Sequence, residues 1–130
     1  MLSDARAWDR ALPHAERAVA LAPGHPAFLA TRGTIHSFLG RRADAIADFE
    51  QALRAGGRTV PSISLNLAAL YISDGRAAEA RALLARVEAG PLSEADRAHA
   101  DVVRTRLNAA KRSSALQMES GSESESREVD

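Results

Sequence analysis

One hundred and thirty residues bound a single domain, and 45% hydrophobic residues with only 4% aromatic suit an alanine-rich helical packing better than a sandwich or a barrel. The absence of cysteine excludes disulfides, cysteine-zinc sites and thiol catalysis together. The formal net charge is zero, so no global field draws in nucleic acid, yet the charge is segregated: residues 1–112 hold 16 bases and 12 acids (net +4), and residues 113–130 hold one base and five acids (net −4).

Arginine supplies 16 of the 17 basic side chains, a bias that fits a GC-rich, bacterial coding sequence. The opening MLSDARAWDR lacks the apolar run of a secretory signal. The longest uncharged run, residues 59–73, is too short and too polar to cross a bilayer. No membrane insertion is expected; the chain reads as soluble, cytoplasmic or periplasmic if bacterial.

In chain order, residues 4–23 form the first helical stretch, with Trp8, Ala11, Ala15 and Ala18 at helical spacing. Pro13 predicts either a kink or a late start that places it in the first turns. Ala22-Pro23-Gly24-His25-Pro26 is a double-proline stop. The next stretch is the centre of the pattern. Leu29, Gly33 and His36 precede a Leu39-Gly40 break, and Ala45, Phe49 and Ala52 follow it. Small residues let two helix backbones approach, and Phe49 fills the space beside them, so this segment predicts a helix hairpin. The arrangement returns with Leu67, Ala68 and Tyr71, then Asp74-Gly75, then Ala80, Leu84 and Val87. Gly56-Gly57 separates the two hairpins, and Ala89-Gly90-Pro91 ends the second.

A final helix is expected over residues 94–111. Ser93 serves as its N-cap, and Ala95, Ala98, Val102, Val103 and Leu107 form its apolar side under a basic exterior. From Ser113 the periodicity stops. SSALQMESGSESESREVD is rich in serine and glutamate, and is expected to be disordered unless docked.

Gly33, His36, Ala45, Phe49 and Ala52, then Ala68, Tyr71, Ala80 and Leu84, fall on the small, ring, small, large and small positions of the tetratricopeptide signature, which recurs at roughly 34 residues. The chain resembles a short tetratricopeptide (TPR) array. Leu29 and Ser64 stand where that family has tryptophan, and Arg32 where it has leucine. The resemblance implies an all-α fold, an α-solenoid of antiparallel helix hairpins with about six helices. A half repeat would span 4–23, full repeats 26–58 and 61–91, and a capping helix 94–111, within a domain of residues 1–112. It also implies a non-catalytic role as a scaffold or adaptor that binds a peptide or helix of another protein in its concave groove.

The first helix of each hairpin lines that groove in the family. By their place relative to Gly33 and Ala68, the groove residues are expected to include Thr31, Thr34, Phe38, Leu65, Asn66, Ala69 and Ile72, with Phe38, Leu65 and Ile72 as apolar anchors. Asn66 can donate and accept at once, which suits a peptide main chain. The carboxylate clamp of some relatives is matched only at Asn66, since Ala30 and Thr34 occupy its first pair; a basic partner would have to come from the final helix, for example Arg97. The first half repeat lacks its hairpin partner, so Trp8, Leu12 and Val19 are expected to be partly uncovered. Either they meet another copy or an upstream helix, or Trp8 folds back onto the first complete repeat. A structural, oligomerising segment of a larger protein is therefore the alternative reading.

Catalysis finds no footing. His14, His25, His36 and His99 make no i, i+4 metal pair, and no HExxH, GxSxG or phosphate loop occurs. His36 reads as the ring between two helices. Asp44, Asp48, Glu79 and Glu88 read as solvated faces or arginine partners. No cofactor or metal is expected. Nucleic-acid binding is not expected either, because arginine is interleaved with acids and stacking platforms are few.

Overall fold

The computed structural model describes the backbone of residues 2–129 and the side chains of residues 5–113, 115 and 116. The described residues form six α-helices and no strand: α1 (Leu2–Leu21), α2 (Pro26–Phe38), α3 (Arg42–Arg54), α4 (Pro61–Ser73), α5 (Ala77–Glu88) and α6 (Glu94–Val129). One 3-10 turn, Gly57–Thr59, links α3 to α4.

Two hairpins, α2–α3 and α4–α5, repeat one another at an interval of 35 residues. Pro26 and Pro61 open their first helices, where a missing N–H costs nothing, and Arg42 and Ala77 open their second. Gly40 and Gly75 both take the left-handed conformation, with φ of 77° and 76°. The turns close with the same bonds. Arg41 N donates to His36 O at 2.8 Å and Gly40 N to Ser37 O at 3.1 Å; Arg76 N donates to Tyr71 O at 2.7 Å and Gly75 N to Ile72 O at 3.1 Å. Each is a Schellman ending, which satisfies the last carbonyls of a helix while reversing the chain.

Consecutive helices pack on one another from α1 to α6, and α6 also packs on α4. The main core runs through Leu29, Phe49, Ala52, Leu65, Leu67, Ala68, Leu84 and Val103. At Gly33 a Cβ would lie 3.0 Å from the Phe49 ring and 3.2 Å from Asp48 Cβ, so the absent side chain lets α2 close on α3. Phe49, 1% exposed, fills the space this creates.

Several expectations require correction. α1 begins at Leu2, so Pro13 lies inside the helix rather than in its first turns. Pro13 and Asp9 are both exposed, which leaves the carbonyl that the proline cannot bond to solvent. Leu12 and Val19 are not uncovered: each is 8% exposed, and Leu12 packs with Ala15 and Ile35 because α1 lays its apolar side on α2. Trp8 folds back onto the first hairpin, its ring stacked on Phe38 at 4.4 Å with a 2° interplanar angle. On α6 the buried stripe is Ala100, Val103 and Leu107, while Val102, Ala95 and Ala98 are exposed. Ser93 does cap this helix, its Oγ accepting from Asp96 N at 3.1 Å. The helix does not stop near Lys111 but continues through residues 113–129, where no proline interrupts it.

Candidate groove between α2, α4 and α6

The face of α4 that is free of neighbouring helices carries Asn66, Ala69 and Ser73, spaced i, i+3 and i+7 along one stripe. Opposite it, α2 presents Thr34, Ser37 and Phe38. Phe49 forms part of the floor, and Leu70 and Arg106 of α6 complete a cavity of about 350 Å³. A smaller hollow lined by Ser37, Gly40, Arg42, Leu70 and Ser73 adjoins it, sharing three of those residues.

The groove wall is half apolar and half hydrogen-bonding. Phe38 is 61% exposed although its other face is covered by Trp8, so an aromatic edge stands at the rim. Thr34 spends its hydroxyl proton on Ala30 O at 2.9 Å. Two guanidinium groups converge on Ser73 at the end of α4: Arg42 donates to its carbonyl at 2.9 Å, and Arg106 to its Oγ at 3.1 Å. Both sit where the helix dipole favours a cation. Arg42 also pairs with Asp74 at 3.6 Å. Arg106 has no carboxylate partner among the described residues, and no aspartate or glutamate lines either hollow.

Thr34, Phe38, Asn66 and Ala69 are thus brought together, and three other expected positions are not. Leu65 is 0% exposed, in the same buried cluster as Ala100, Val103 and Leu107; it cannot anchor a guest, because the flank of α4 that bears it is covered by α6. Ile72, two turns of that flank further on, packs against the same cluster. Thr31 is exposed and donates to Ala27 O at 2.9 Å, a turn short of the cavity. Arg97 lines a different hollow, with Glu88, Leu92 and Arg104, so the groove cation from α6 is Arg106. The signal for Arg106 was its spacing on α6 next to the buried Val103 and Leu107, which only the α4–α6 contact makes decisive.

α2 and α3 are joined by an ion pair with a buried carboxylate and a half-buried guanidinium, in which Asp48 meets the arginine partner that the sequence left unnamed. Arg32 Nε and an Nη donate to the two Asp48 carboxylate oxygens at 2.9 and 2.7 Å, and Asp48 is 5% exposed. His36 Nε2 lies 3.7 Å from the same carboxylate, and its buried Nδ1 has no hydrogen-bond partner among the described residues. The hydrogen bond to Asp48 raises the Arg32 pKa further above its ordinary value. In the second hairpin Tyr71 stands in the place of His36. Its hydroxyl donates to Glu50 at 2.7 Å, Arg76 lies 4.3 Å over its ring, and burial followed by the Glu50 bond pushes its pKa up to about 12.

A second cavity, of about 290 Å³, opens on the other side of the stack between Leu53, Arg58, Pro61, Leu83, Arg86 and Val87. Beside it, Gly57 lets the α3–α4 link pack closely on both helices: a Cβ there would meet Ala52 O at 2.7 Å and Ile63 Cδ1 at 3.1 Å. Among the described residues no cluster of three or more His, Cys, Asp or Glu could hold a metal ion, and no helix is long and apolar enough to cross a membrane. No protein-family model matches the chain, and no curated protein matches it.

Proposed function

We propose that this chain is a TPR-like solenoid acting as a protein interaction module, without catalytic activity of its own, that receives a peptide or helix of another protein in the groove between α2, α4 and α6. The observation that carries this reading is Phe38, held at the rim with 61% of its surface open, facing the Asn66, Ala69 and Ser73 stripe across a cavity wide enough for side chains. An aromatic anchor beside an amide that both donates and accepts is the chemistry a peptide needs: apolar burial for affinity and main-chain bonding for register. The 35-residue recurrence of Pro26 and Pro61, Gly40 and Gly75, with matching turn bonds, supports the repeat reading. A scaffold or adaptor role follows from such a module. The alternative, assembly through an uncovered first helix, is less well supported, because Leu12 packs with Ile35 of α2 and Val19 is buried in the main core.

Selection of a displayed random peptide library on the full chain tests this. Enriched peptides should bind the wild type and lose about tenfold or more in affinity on Phe38→Asp and on Asn66→Ala, with the helical circular dichroism unchanged. Peptides insensitive to both substitutions would refute the assignment of the groove.

A further inference from the structure

The groove and the end of the chain carry opposite charge. Its two flanking cations are Arg106, which has no carboxylate partner among the described residues, and Arg42, which Asp74 pairs at 3.6 Å; no carboxylate lines the cavity or its neighbour. Residues 113–130 hold five acids and one base against the net +4 of residues 1–112. That segment also begins with an apolar group: Leu116 is 65% exposed, with Glu119 and Glu123 three and seven residues further on, the spacing of one helical stripe. We propose that the groove of one copy receives the acidic segment 113–130 of a second copy, with Leu116 against Phe38 and the glutamates toward Arg106 and Arg42. The proposal rests on the groove reading above and names its occupant.

A chain cannot fill its own groove in this way. Arg106 lines the cavity, and α6 continues without a break to Val129, so Glu119 lies roughly 20 Å further along the helix axis, at 1.5 Å per residue. The acidic stretch is carried onward from its own cavity and stays available to another. Segment into groove joins unlike surfaces, so two copies that exchange segments close a dimer, and copies that do not exchange grow open chains. The attraction is between exposed charges, so it must weaken as salt shortens the Debye length.

Sedimentation velocity of the full chain over a range of concentrations reads this directly. The expected result is concentration-dependent association that falls about tenfold or more in association constant when salt is raised or when Arg106→Glu is introduced, and that returns when Arg106→Glu is combined with Glu119→Arg and Glu123→Arg. A labelled synthetic peptide of residues 113–130 should bind the wild-type chain and fail to bind the Arg106→Glu chain. A chain that stays monomeric at all concentrations and ignores the peptide overturns the proposal, as does association that is indifferent to Arg106→Glu but lost on Arg86→Glu. If library-selected peptides still depend on Phe38 in that case, the groove reading survives and only its occupant is wrong.

Discussion

The two hairpins share one backbone plan and have opposite interiors. Thirty-five residues separate Arg32 from Leu67 and Asp48 from Leu83, so the place of a half-buried ion pair in α2–α3 is taken by two leucines in α4–α5. Gly33 becomes Ala68, Phe49 becomes Leu84, and His36 becomes Tyr71. A large ring against no side chain and a medium side chain against a methyl fill the same gap. The frame is therefore set by helix length, the two Schellman turns and summed volume, while the polarity of the filling is negotiable. Both hairpins give their first helix to the groove, so the difference in filling lies away from it.

The comparison can be broken most severely at its fillers. Phe49→Ala should cost about 3–5 kcal/mol in chemical denaturation, and Leu84→Ala about 2–5 kcal/mol. A negligible change at either would remove that ring or side chain from the core. The ion pair is the sharper probe. Arg32→Leu strands the Asp48 carboxylate and should cost roughly 3 kcal/mol, whereas Arg32→Leu with Asp48→Leu copies the second hairpin into the first and should lie within about 1 kcal/mol of wild type. If the double variant is as unstable as the single, the two interiors are not interchangeable. Gly33→Ala imports the residue found at Ala68, but Phe49 remains, and with a Cβ contact at 3.0 Å the loss should be about 1–3 kcal/mol by the same denaturation assay.

The smallest effect is at the ring positions. Tyr71 is the sole tyrosine, so tyrosinate absorbance reports it alone. Its midpoint should lie near 12, and Glu50→Gln should lower it toward the ordinary tyrosine value of about 10. Because the folded-state pKa is raised, the stability this contributes is complete below about pH 10 and is lost as pH rises through about 12. An ordinary midpoint in the wild type would show the hydroxyl to be solvated.

Much of the frame was legible in the sequence, since Gly33, Phe49, Ala68 and Leu84 announce two hairpins by size and spacing, and Gly40 and Gly75 announce their turns. The groove was half legible. Thr34, Phe38, Asn66 and Ala69 follow from helical phase alone, whereas Leu65 and Ile72 failed because their flank of α4 is covered by a helix nearly 30 residues later, a contact that no local period encodes. Arg106 was missed for the same reason. Leu12 and Val19 were misjudged because a helix without a hairpin partner was assumed to lack cover, whereas both are buried; Trp8 took the second of its two expected courses and folded back onto the first hairpin. Asp48 was legible as either a solvated acid or an arginine partner, but not which arginine, because Arg32 lies 16 residues earlier on another helix.

The most direct test of the groove is amide chemical-shift mapping of the full chain as a library-selected peptide is added. The expected perturbations centre on Thr34, Ser37, Phe38, Asn66, Ala69 and Ser73, with the indole of Trp8 shifting through its stack on Phe38. Perturbations centred instead on Leu53, Pro61, Leu83 and Val87 would place the guest in the cavity on the other side of the stack and contradict the account.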